Sequence, residues 1–365
     1  MPLVDAFSAS YAEARAKFLD AARSKGLEIV SCPHPLPGRD GEVLALDVAR
    51  WGPADASRML LVSSGCHGVE GYCGSGVQIA ALRDEEWLRK AAVAGVTVLF
   101  LHAVNPYGFS HARRATHENI DLNRNFQDFG HPLPDNVAYR ELRPLLVPAT
   151  WPPSLFNKAS IAWYIARRGM KAFQAAVSGG QYAFADGLFY GGREPSWSNV
   201  RLRQVLRTHA GQARQLGWID LHTGLGPTGH GELLYAGRPD DAAGLARSRA
   251  WWDGPDTPLK SLYDGSSVSA RVTGQIWGAV YDECPQAEIT SLAIEFGTQP
   301  LRQVLQALRA EQWLQNHPGA TAAQAAQIKR DLRHAFYVDT PDWKRRILAQ
   351  SFQAMDRALQ GLTAA

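Results

Sequence analysis

Short, nearly continuous apolar runs alternate along the chain with longer stretches in which apolar residues recur at helical spacing. Apolar runs without polar alternation are typical of strands buried on both faces of a mainly parallel sheet. Strands are predicted over residues 43–49, 59–63, 96–103, 218–221, 232–235 and 289–296. Helices are predicted over residues 72–89, 197–216, 301–316, 320–334 and 343–362. The pattern predicts a three-layer α/β fold, in which a mixed, mostly parallel and twisted sheet carries helices on both faces.

Two regions interrupt this alternation, at about residues 131–195 and 238–285. The first contains a proline-rich stretch and the second is rich in Gly, Asp and Pro. Because strand-like runs resume after each region, we expect loop or helical insertions into a single domain over residues 1–365, rather than linkers. Asp282 and Glu283, at the end of the second insertion, either favour a basic side chain in a ligand or are solvated turn residues.

The charge of the chain is nearly balanced, with 38 Lys and Arg against 35 Asp and Glu, a formal net charge of +3. This balance argues against nucleic acid or an anionic membrane as a partner. The first 25 residues lack the apolar region of a signal peptide, and no apolar run reaches the ~18 residues of a spanning helix. The four cysteines form no close pair. These features predict a cytoplasmic protein with a small-molecule partner, and they leave the oligomeric state open.

A histidine and a glutamate follow the second predicted strand, at the edge where ligand sites of open α/β sheets lie. His67 and Glu70 are separated by two residues, so one turn of chain would aim both at one ion. Imidazole nitrogen and carboxylate oxygen are ligands that zinc prefers. In the alternative interpretation, Glu70 lies at a helix N-terminus, where it interacts with the helix dipole, and His67 is a surface residue.

A second histidine, His222, ends another buried strand. A catalytic zinc site needs three protein ligands and an open position, so His222 is a candidate for the third ligand. The alternative is a core histidine that is hydrogen-bonded to the backbone. Asp220 lies two residues earlier and on the same strand face, where it either orients His222 or caps a loop.

Two pairs of polar residues follow the strand over residues 96–103, after an Asn-Pro-Tyr-Gly run. A guanidinium binds a carboxylate through two parallel hydrogen bonds, and a neighbouring amide adds another, so Asn123 and Arg124 are candidates for holding a free carboxylate. Either Arg113 or Arg114 is a candidate for stabilising an oxyanion. The alternative for these arginines is a solvated basic loop.

Glu295 ends the last predicted strand, which is otherwise apolar. A carboxylate in such a place is costly unless it has a partner or a function. We therefore expect Glu295 to be a general base, and the alternative is a carboxylate that caps the following helix.

Together these patches resemble the zinc carboxypeptidase superfamily, which also contains succinylglutamate desuccinylase and aspartoacylase. The resemblance rests on H-x-x-E, N-P-x-G, R-R with D-L-N-R-N-F, D-L-H-T-G and A-I-E-F-G-T, in this order between His67 and Thr298. Residues 187–192 and 195–199 look like an uncharacterised bacterial branch that is described only as a domain of unknown function. The expected fold is zinc-carboxypeptidase-like.

The resemblance implies one Zn²⁺ per chain, held by His67, Glu70 and His222. It implies that Glu295 takes a proton from the attacking water and passes it to the leaving amine. It further implies that Arg114, or alternatively Arg113, polarises the scissile carbonyl, while Asn123 and Arg124 hold the terminal carboxylate of the substrate.

The resemblance thus predicts a metallopeptidase of the carboxypeptidase type, which hydrolyses an amide bond next to a free carboxylate in a short peptide. One alternative is a deacylase of N-acyl amino acids, because the spacing from Arg114 to Asn123 is closer to the desuccinylase pattern. Another is a non-catalytic module that binds a carboxylate on the same fold. No motif selects the tyrosine that carboxypeptidases use near the scissile bond, and Tyr190, Tyr263 and Tyr281 are candidates.

Overall fold

The computed structural model describes residues 3–255, 257–267 and 271–364. The strands of this part of the chain are β1 (Glu28–Pro33), β2 (Ala45–Trp51), β3 (Arg58–Ser64), β4 (Thr97–His102), β5 (Gln215–Gly224), β6 (Gly231–Tyr235) and β7 (Glu288–Gly297). Its helices are α1 (Tyr11–Ser24), α2 (Gly71–Arg83), α3 (Glu85–Val93), α4 (Pro106–Ser110), α5 (Val137–Leu146), α6 (Leu155–Arg168), α7 (Met170–Ser178), α8 (Trp197–His209), α9 (Ala242–Trp252), α10 (Gly278–Glu283), α11 (Leu301–Asn316), α12 (Ala322–Phe336) and α13 (Pro341–Ala364).

The strands form one mixed sheet in the order β1-β2-β4-β3-β5-β7-β6. The central strands β4, β3, β5 and β7 are parallel to their neighbours in this group. The flanking pairs β1–β2, β2–β4 and β6–β7 are antiparallel. The predicted α/β class with a mostly parallel sheet is confirmed, and the carboxyl ends of β3, β5 and β7 meet at one edge, called here the carboxyl edge.

Alternate residues of the central strands enter two separate hydrophobic cores, one on each face of the sheet. Leu60 and Val62 of β3 pack in a core that includes residues of α1, α2, α3, α9, α12 and α13. Their neighbours Met59 and Leu61 pack in a second core with residues of α8 and α10. Because both faces of the sheet are covered, its central strands carry the unbroken apolar runs seen in the sequence.

The structure differs from the predicted pattern in several places outside the insertions. It adds the strand β1 and the helices α1 and α4, and it divides one predicted helix in two. The helix predicted over residues 197–216 is wrong in its last third, because α8 ends at His209 and β5 begins at Gln215. The strand β1 was missed because it is short, pairs with β2 at the edge of the described sheet, and is only partly buried. The helix predicted over residues 72–89 is divided at Asp84, whose carboxylate accepts a hydrogen bond from the Trp87 N–H at 2.9 Å and caps the start of α3. An N-cap of this kind begins a new helix in place of continuing the old one.

The two predicted insertions carry helices of their own. The first contains α5, α6 and α7, and the second contains α9 and α10. Arg309 of α11 fixes the first insertion: its buried guanidinium donates to the Leu145 carbonyl at 2.6 Å and to Asn157 Oδ1 at 2.7 Å. The start of α6 is therefore tied to α11.

No helix among the described residues is both long enough and apolar enough to cross a bilayer.

Candidate active site

The three predicted metal ligands lie together at the carboxyl edge. His67 follows β3, Glu70 ends the short 3₁₀ turn Gly68–Glu70, and His222 lies near the end of β5, which is parallel to β3. Each side chain offers one ligand atom, and these three atoms all lie within 4.8 Å of one another. All three side chains are buried. The arrangement is that of a donor set for one ion, with the nitrogen and carboxylate-oxygen ligands that suit zinc.

The turn that carries Glu70 is built against α4 and the chain after it. The Gly68 N–H donates to the Arg114 carbonyl at 3.1 Å, and the Val69 N–H donates to the Arg113 carbonyl at 2.8 Å. A Cβ atom on Gly68 would lie 2.0 Å from the carbonyl carbon of Gly108, so only glycine fits this contact. The Asn-Pro-Tyr-Gly run thus supports the turn, and none of its four residues lines the cavity described below.

In each of the two histidines, the two ring nitrogens contact two different carboxylates. His67 Nδ1 lies 2.8 Å from Glu70 Oε1, and its Nε2 lies 3.1 Å from Asp121 Oδ1. His222 Nδ1 lies 3.0 Å from Glu70 Oε2, and its Nε2 lies 2.6 Å from Asp220 Oδ2. A neutral imidazole has one N–H, so it satisfies two carboxylates only when it is protonated or when another donor, such as the Arg114 guanidinium 2.8 Å from His67 Nε2, shares the site. A cation bound by the inner ring nitrogens and Glu70 would replace those protons and would leave the outer nitrogens to Asp121 and Asp220.

The charges around the histidines also fit a cation. The buried carboxylates of Glu70, Asp121 and Asp220 are opposed by Arg114, which lies 3.0 Å from Glu70 and 2.9 Å from Asp121, and by Arg124, 3.8 Å from Asp121. Burial lowers the pKa of His222, but Asp220 and Glu70 raise it well above the ordinary value, so in the metal-free protein this ring supplies a further positive charge. A divalent cation would take the place of that proton. Burial would raise the pKa of Glu70, but His67 and His222 hold it well below its usual range. Glu70 is therefore ionised and able to bind a metal.

The orienting carboxylate Asp121 was not singled out from the sequence, although it lies within the D-L-N-R-N-F motif. Burial would raise its pKa, but Arg114, Arg124 and His67 lower it well below the ordinary value. For Asp220, the role as partner of His222 is the one that the structure supports. The Ser63 hydroxyl donates to its second oxygen at 2.6 Å, so this carboxylate is held on both sides.

Glu295 stands beside the donor set and is not part of it. Strand β7 pairs with β5 so that Glu295 lies opposite His222 in the register. Its Oε1 accepts a hydrogen bond from the Leu225 N–H at 3.0 Å. Burial and the neighbouring Glu70 raise the pKa of Glu295 to about 7. A carboxyl group with this pKa can both accept and return a proton near neutral pH.

The two adjacent arginines have different surroundings. Arg114 faces His67, Glu70 and Asp121 and lines the cavity described below. Arg113 points away from the cavity: its buried guanidinium donates to Glu311 at 2.9 Å and to Asn119 at 2.8 Å. Of the two arginines, Arg114 therefore lies where a ligand in the cavity could reach it, and Arg113 forms an ion pair that holds the loop against α11.

Asn123 and Arg124 both line the cavity next to the donor set. Asn123 Oδ1 accepts from the Ile276 N–H at 2.9 Å, which fixes the orientation of its amide. Arg124 donates to the carbonyls of Asn123, at 2.9 Å, and Ser178, at 2.5 Å. Its buried Nε has no hydrogen-bond partner in the part of the chain that the structure describes. A buried donor without a partner is costly, and a substrate carboxylate would satisfy it.

The family model described as "Protein of unknown function (DUF2817)" matches residues 7–350. The chain belongs to the DUF2817 family. Among curated proteins, a search finds no significant match to this DUF2817 chain.

Solved structures place the DUF2817 chain in the metallocarboxypeptidase fold. Carboxypeptidase A from Helicoverpa armigera superposes with a TM-score of 0.54 at 13% identity, over 98% of this chain and 74% of that one. Bovine thrombin-activatable fibrinolysis inhibitor, solved in complex with tick carboxypeptidase inhibitor, gives a TM-score of 0.53 at 10% identity, over 98% of each chain. At such low identity these similarities establish the fold, and the predicted zinc-carboxypeptidase-like architecture is confirmed.

The cavity of this DUF2817 protein has a volume of about 570 Å³ and contains His67, Arg114, His222 and Glu295 in its lining. Two apolar groups complete it. The first, called here the floor, consists of Leu234, Leu262, Val272, Trp277 and Ala293. The second, called here the helical wall, comes from α6, α7 and α11 and includes Ile161, Ile165, Phe173, Val177, Val304 and Leu308.

The candidate tyrosines and the acidic pair of the second insertion lie outside this lining. Among the described residues that line the cavity there is no tyrosine. The Tyr263 hydroxyl donates to the Gly237 carbonyl at 2.8 Å, and the Tyr281 hydroxyl donates to Asp241 at 3.1 Å. Asp282 and Glu283 pair with surface arginines, both of them with Arg203 at 3.0 Å. They are therefore not placed to select a basic substrate.

Proposed function

We propose that this protein is a zinc-dependent hydrolase that cleaves an amide bond next to a free carboxylate. The observation that carries the proposal is the position of Glu295: a half-buried carboxylate lies opposite His222 in the sheet and beside the donor set without belonging to it. A module that only bound a carboxylate would have no use for such a base. The substrates that fit are short peptides with a free C-terminus and N-acyl amino acids.

His67, Glu70 and His222 are the residues that would hold the ion, and Asp121 and Asp220 would fix the two imidazole rings. A zinc ion in this set would supply Lewis-acid chemistry, polarising the scissile carbonyl and acidifying water. His67 and His222 line the cavity, so a substrate carbonyl there would be able to reach an ion that they hold.

The remaining steps fall to side chains of this chain. Arg124, with its free Nε, and Asn123 would hold the substrate carboxylate and so set the position of the amide bond. Arg114 would donate to the carbonyl oxygen as negative charge develops there. Glu295 would take one proton from the attacking water and return it to the amine nitrogen as the carbon–nitrogen bond breaks.

The test compares two matched substrates on purified, zinc-loaded protein: a blocked dipeptide with a free C-terminal carboxylate, and the same dipeptide with an amidated C-terminus. Release of the C-terminal amino acid or its amide is measured by mass spectrometry. We expect hydrolysis of the free acid, little of the amide, and loss of activity with a zinc chelator. Turnover that survives the chelator, or no hydrolysis of any free-acid peptide or N-acyl amino acid by fully loaded protein, would overturn the proposal.

A further inference from the structure

The helical wall extends over two turns of α6, since Lys158, Ile161 and Ile165 all line the cavity, and this length of roughly 10 Å exceeds that of most amino acid side chains. It shares the cavity with His67, Arg114 and Glu295. The anchor from Arg309 to Asn157 ties the first turn of α6 to α11. The later turns of α6, with Ile161 and Ile165, then line the cavity.

The chemistry of this wall favours a hydrocarbon chain over a peptide. Every peptide unit brings an N–H and a C=O that need partners once they leave water. The backbone groups of α6, α7 and α11 are used within the helices, and most of the side chains that these helices present to the cavity are apolar. The polar lining residues of the three helices are Lys158, Gln174, Ser178, Arg302, Gln306 and Arg309. A hydrocarbon chain can lie along the apolar side chains without an unsatisfied polar atom of its own.

The two apolar groups both border the carboxylate anchor and differ in length. The floor adjoins it because the Ile276 N–H, next to Trp277, donates to Asn123 Oδ1. The helical wall adjoins it because Arg124 donates to the carbonyl of Ser178, at the end of α7, at 2.5 Å. The wall then extends over two turns of α11, whose lining residues lie between 301 and 309. A long chain therefore fits the helical wall better than the floor, which leaves the floor for the side chain of the amino acid.

We propose that the preferred substrates are N-acyl amino acids whose acyl chain is long and aliphatic, with that chain against the helical wall. This inference rests on the proposed function, and it names the substrate class of the same site. Water adds across the amide bond, so the products are one fatty acid and one amino acid with a free amine. No oxidant, reductant or second substrate is required.

The experiment measures kcat/KM for a series of N-acyl-L-leucines, from acetyl to dodecanoyl, below the concentration at which each forms micelles. Burial of each added methylene predicts an increase of about fourfold until the wall is filled, so that the octanoyl compound exceeds the acetyl compound by on the order of a hundredfold or more. A parallel series keeps the acetyl group and enlarges the amino acid. A gain confined to that second series, or no dependence on acyl length, would overturn the inference.

Two matched variants locate the effect. Ile165→Trp fills the wall from α6, and Ala166→Trp places the same side chain on the exposed side of the same helix. We expect Ile165→Trp to lower the ratio of dodecanoyl to acetyl activity by about tenfold or more, and Ala166→Trp to leave the ratio unchanged. Ile161→Trp serves as the second wall variant if circular dichroism shows that the first is unfolded. Equal ratios in wall and control variants would contradict the assignment.

Binding separates this inference from the proposed function. Zinc-loaded Glu295→Gln protein is titrated calorimetrically with N-acetyl- and N-dodecanoyl-leucine. Tighter binding of the long-chain compound, without turnover by the wild type, would support binding of the acyl chain at the helical wall and would reject the proposed hydrolase function. Turnover of both compounds at equal efficiency would reject the helical wall and keep the hydrolase. Equal, weak binding with no turnover would reject both.

Discussion

The carboxyl edge and the helical wall differ in how their side chains are held. At the edge, every ligand side chain has at least two polar partners, as for Glu70, which contacts both histidines, Arg114 and the Thr223 N–H. On the wall, the side chains are apolar, and α6 is largely exposed, with only Asn157 fully buried among its described residues. A polar network fixes one geometry, whereas an apolar surface accepts any group of suitable shape.

The comparison separates chemistry from selectivity. The edge is part of the sheet, so substitutions there are expected to change turnover or metal binding. The wall combines α6 and α7 of the first insertion with α11, and substitutions there are expected to change only which substrate is preferred. The following predictions test whether the edge behaves in this way.

The largest effect is expected for Glu295→Gln. Glutamine keeps the size and the hydrogen bond from Leu225 but cannot take a proton, so kcat should fall by about a thousandfold while zinc content is unchanged. Turnover of a free-acid substrate and metal content are measured on the same sample. Activity near that of the wild type would remove Glu295 from the mechanism.

The same substitution should stabilise the metal-free protein at high pH. Because folding raises the pKa of Glu295 from 4.5 to about 7, the native chain holds this proton more tightly. The stabilisation that comes from this tighter proton binding is fully present below pH 4.5. It is lost as the pH rises through about 7, which lowers the free energy of unfolding by about 3 kcal/mol. The free energy of unfolding is measured with urea at pH 5 and pH 8. Glu295→Gln should be more stable than the wild type at pH 8, and this advantage should be absent at pH 5. An equal difference at both values would contradict the raised pKa.

Arg124→Ala should lower kcat/KM for free-acid substrates by about a hundredfold, since a charge-assisted contact to the carboxylate is lost. The amidated twin of each substrate should be affected little. Arg207→Ala, whose guanidinium is largely exposed and pairs with Glu283, is the control. An equal loss on acid and amide substrates would argue against the anchor.

A smaller effect is expected when the carboxylate behind His222 is neutralised. Asp220→Asn should weaken zinc affinity by about tenfold, because the amide orients the imidazole less well and leaves it less basic. Competition with a fluorescent zinc chelator measures the change. The control is Asp282→Asn, which alters an exposed ion pair away from the cavity. Identical affinities for the wild type and Asp220→Asn would show that the outer carboxylate does not act through His222.

The carboxyl edge could be predicted from the sequence because its residues sit at strand ends, and unbroken apolar runs locate those ends. His67, His222 and Glu295 follow three such runs, and parallel pairing brings them to one edge. Asp121 could not be placed in this way, since it lies in a loop 54 residues from His67, and only the folded loop brings the two into contact. The sequence also could not show that Arg113 points away from the site, because its partner Glu311 is 198 residues away along the chain.

The part of the helical wall in the first insertion was harder to predict because α6 is largely exposed, and of its described residues only Asn157 is fully buried. This helix lacks the clean apolar stripe of a packed helix, so the region appeared only as an insertion rich in proline. Its contribution to the cavity depends on the long-range anchor from Arg309, which has no local pattern in the sequence.

The central claim is that His67, Glu70 and His222 hold one zinc ion. Its most direct test is metal content by plasma mass spectrometry on untagged wild type, His67→Ala and Glu295→Gln, purified without added metal. The account predicts about one zinc per chain in the wild type and in Glu295→Gln, and almost none in His67→Ala. The absence of stoichiometric zinc from the wild type even after supplementation, or full retention in His67→Ala, would contradict it.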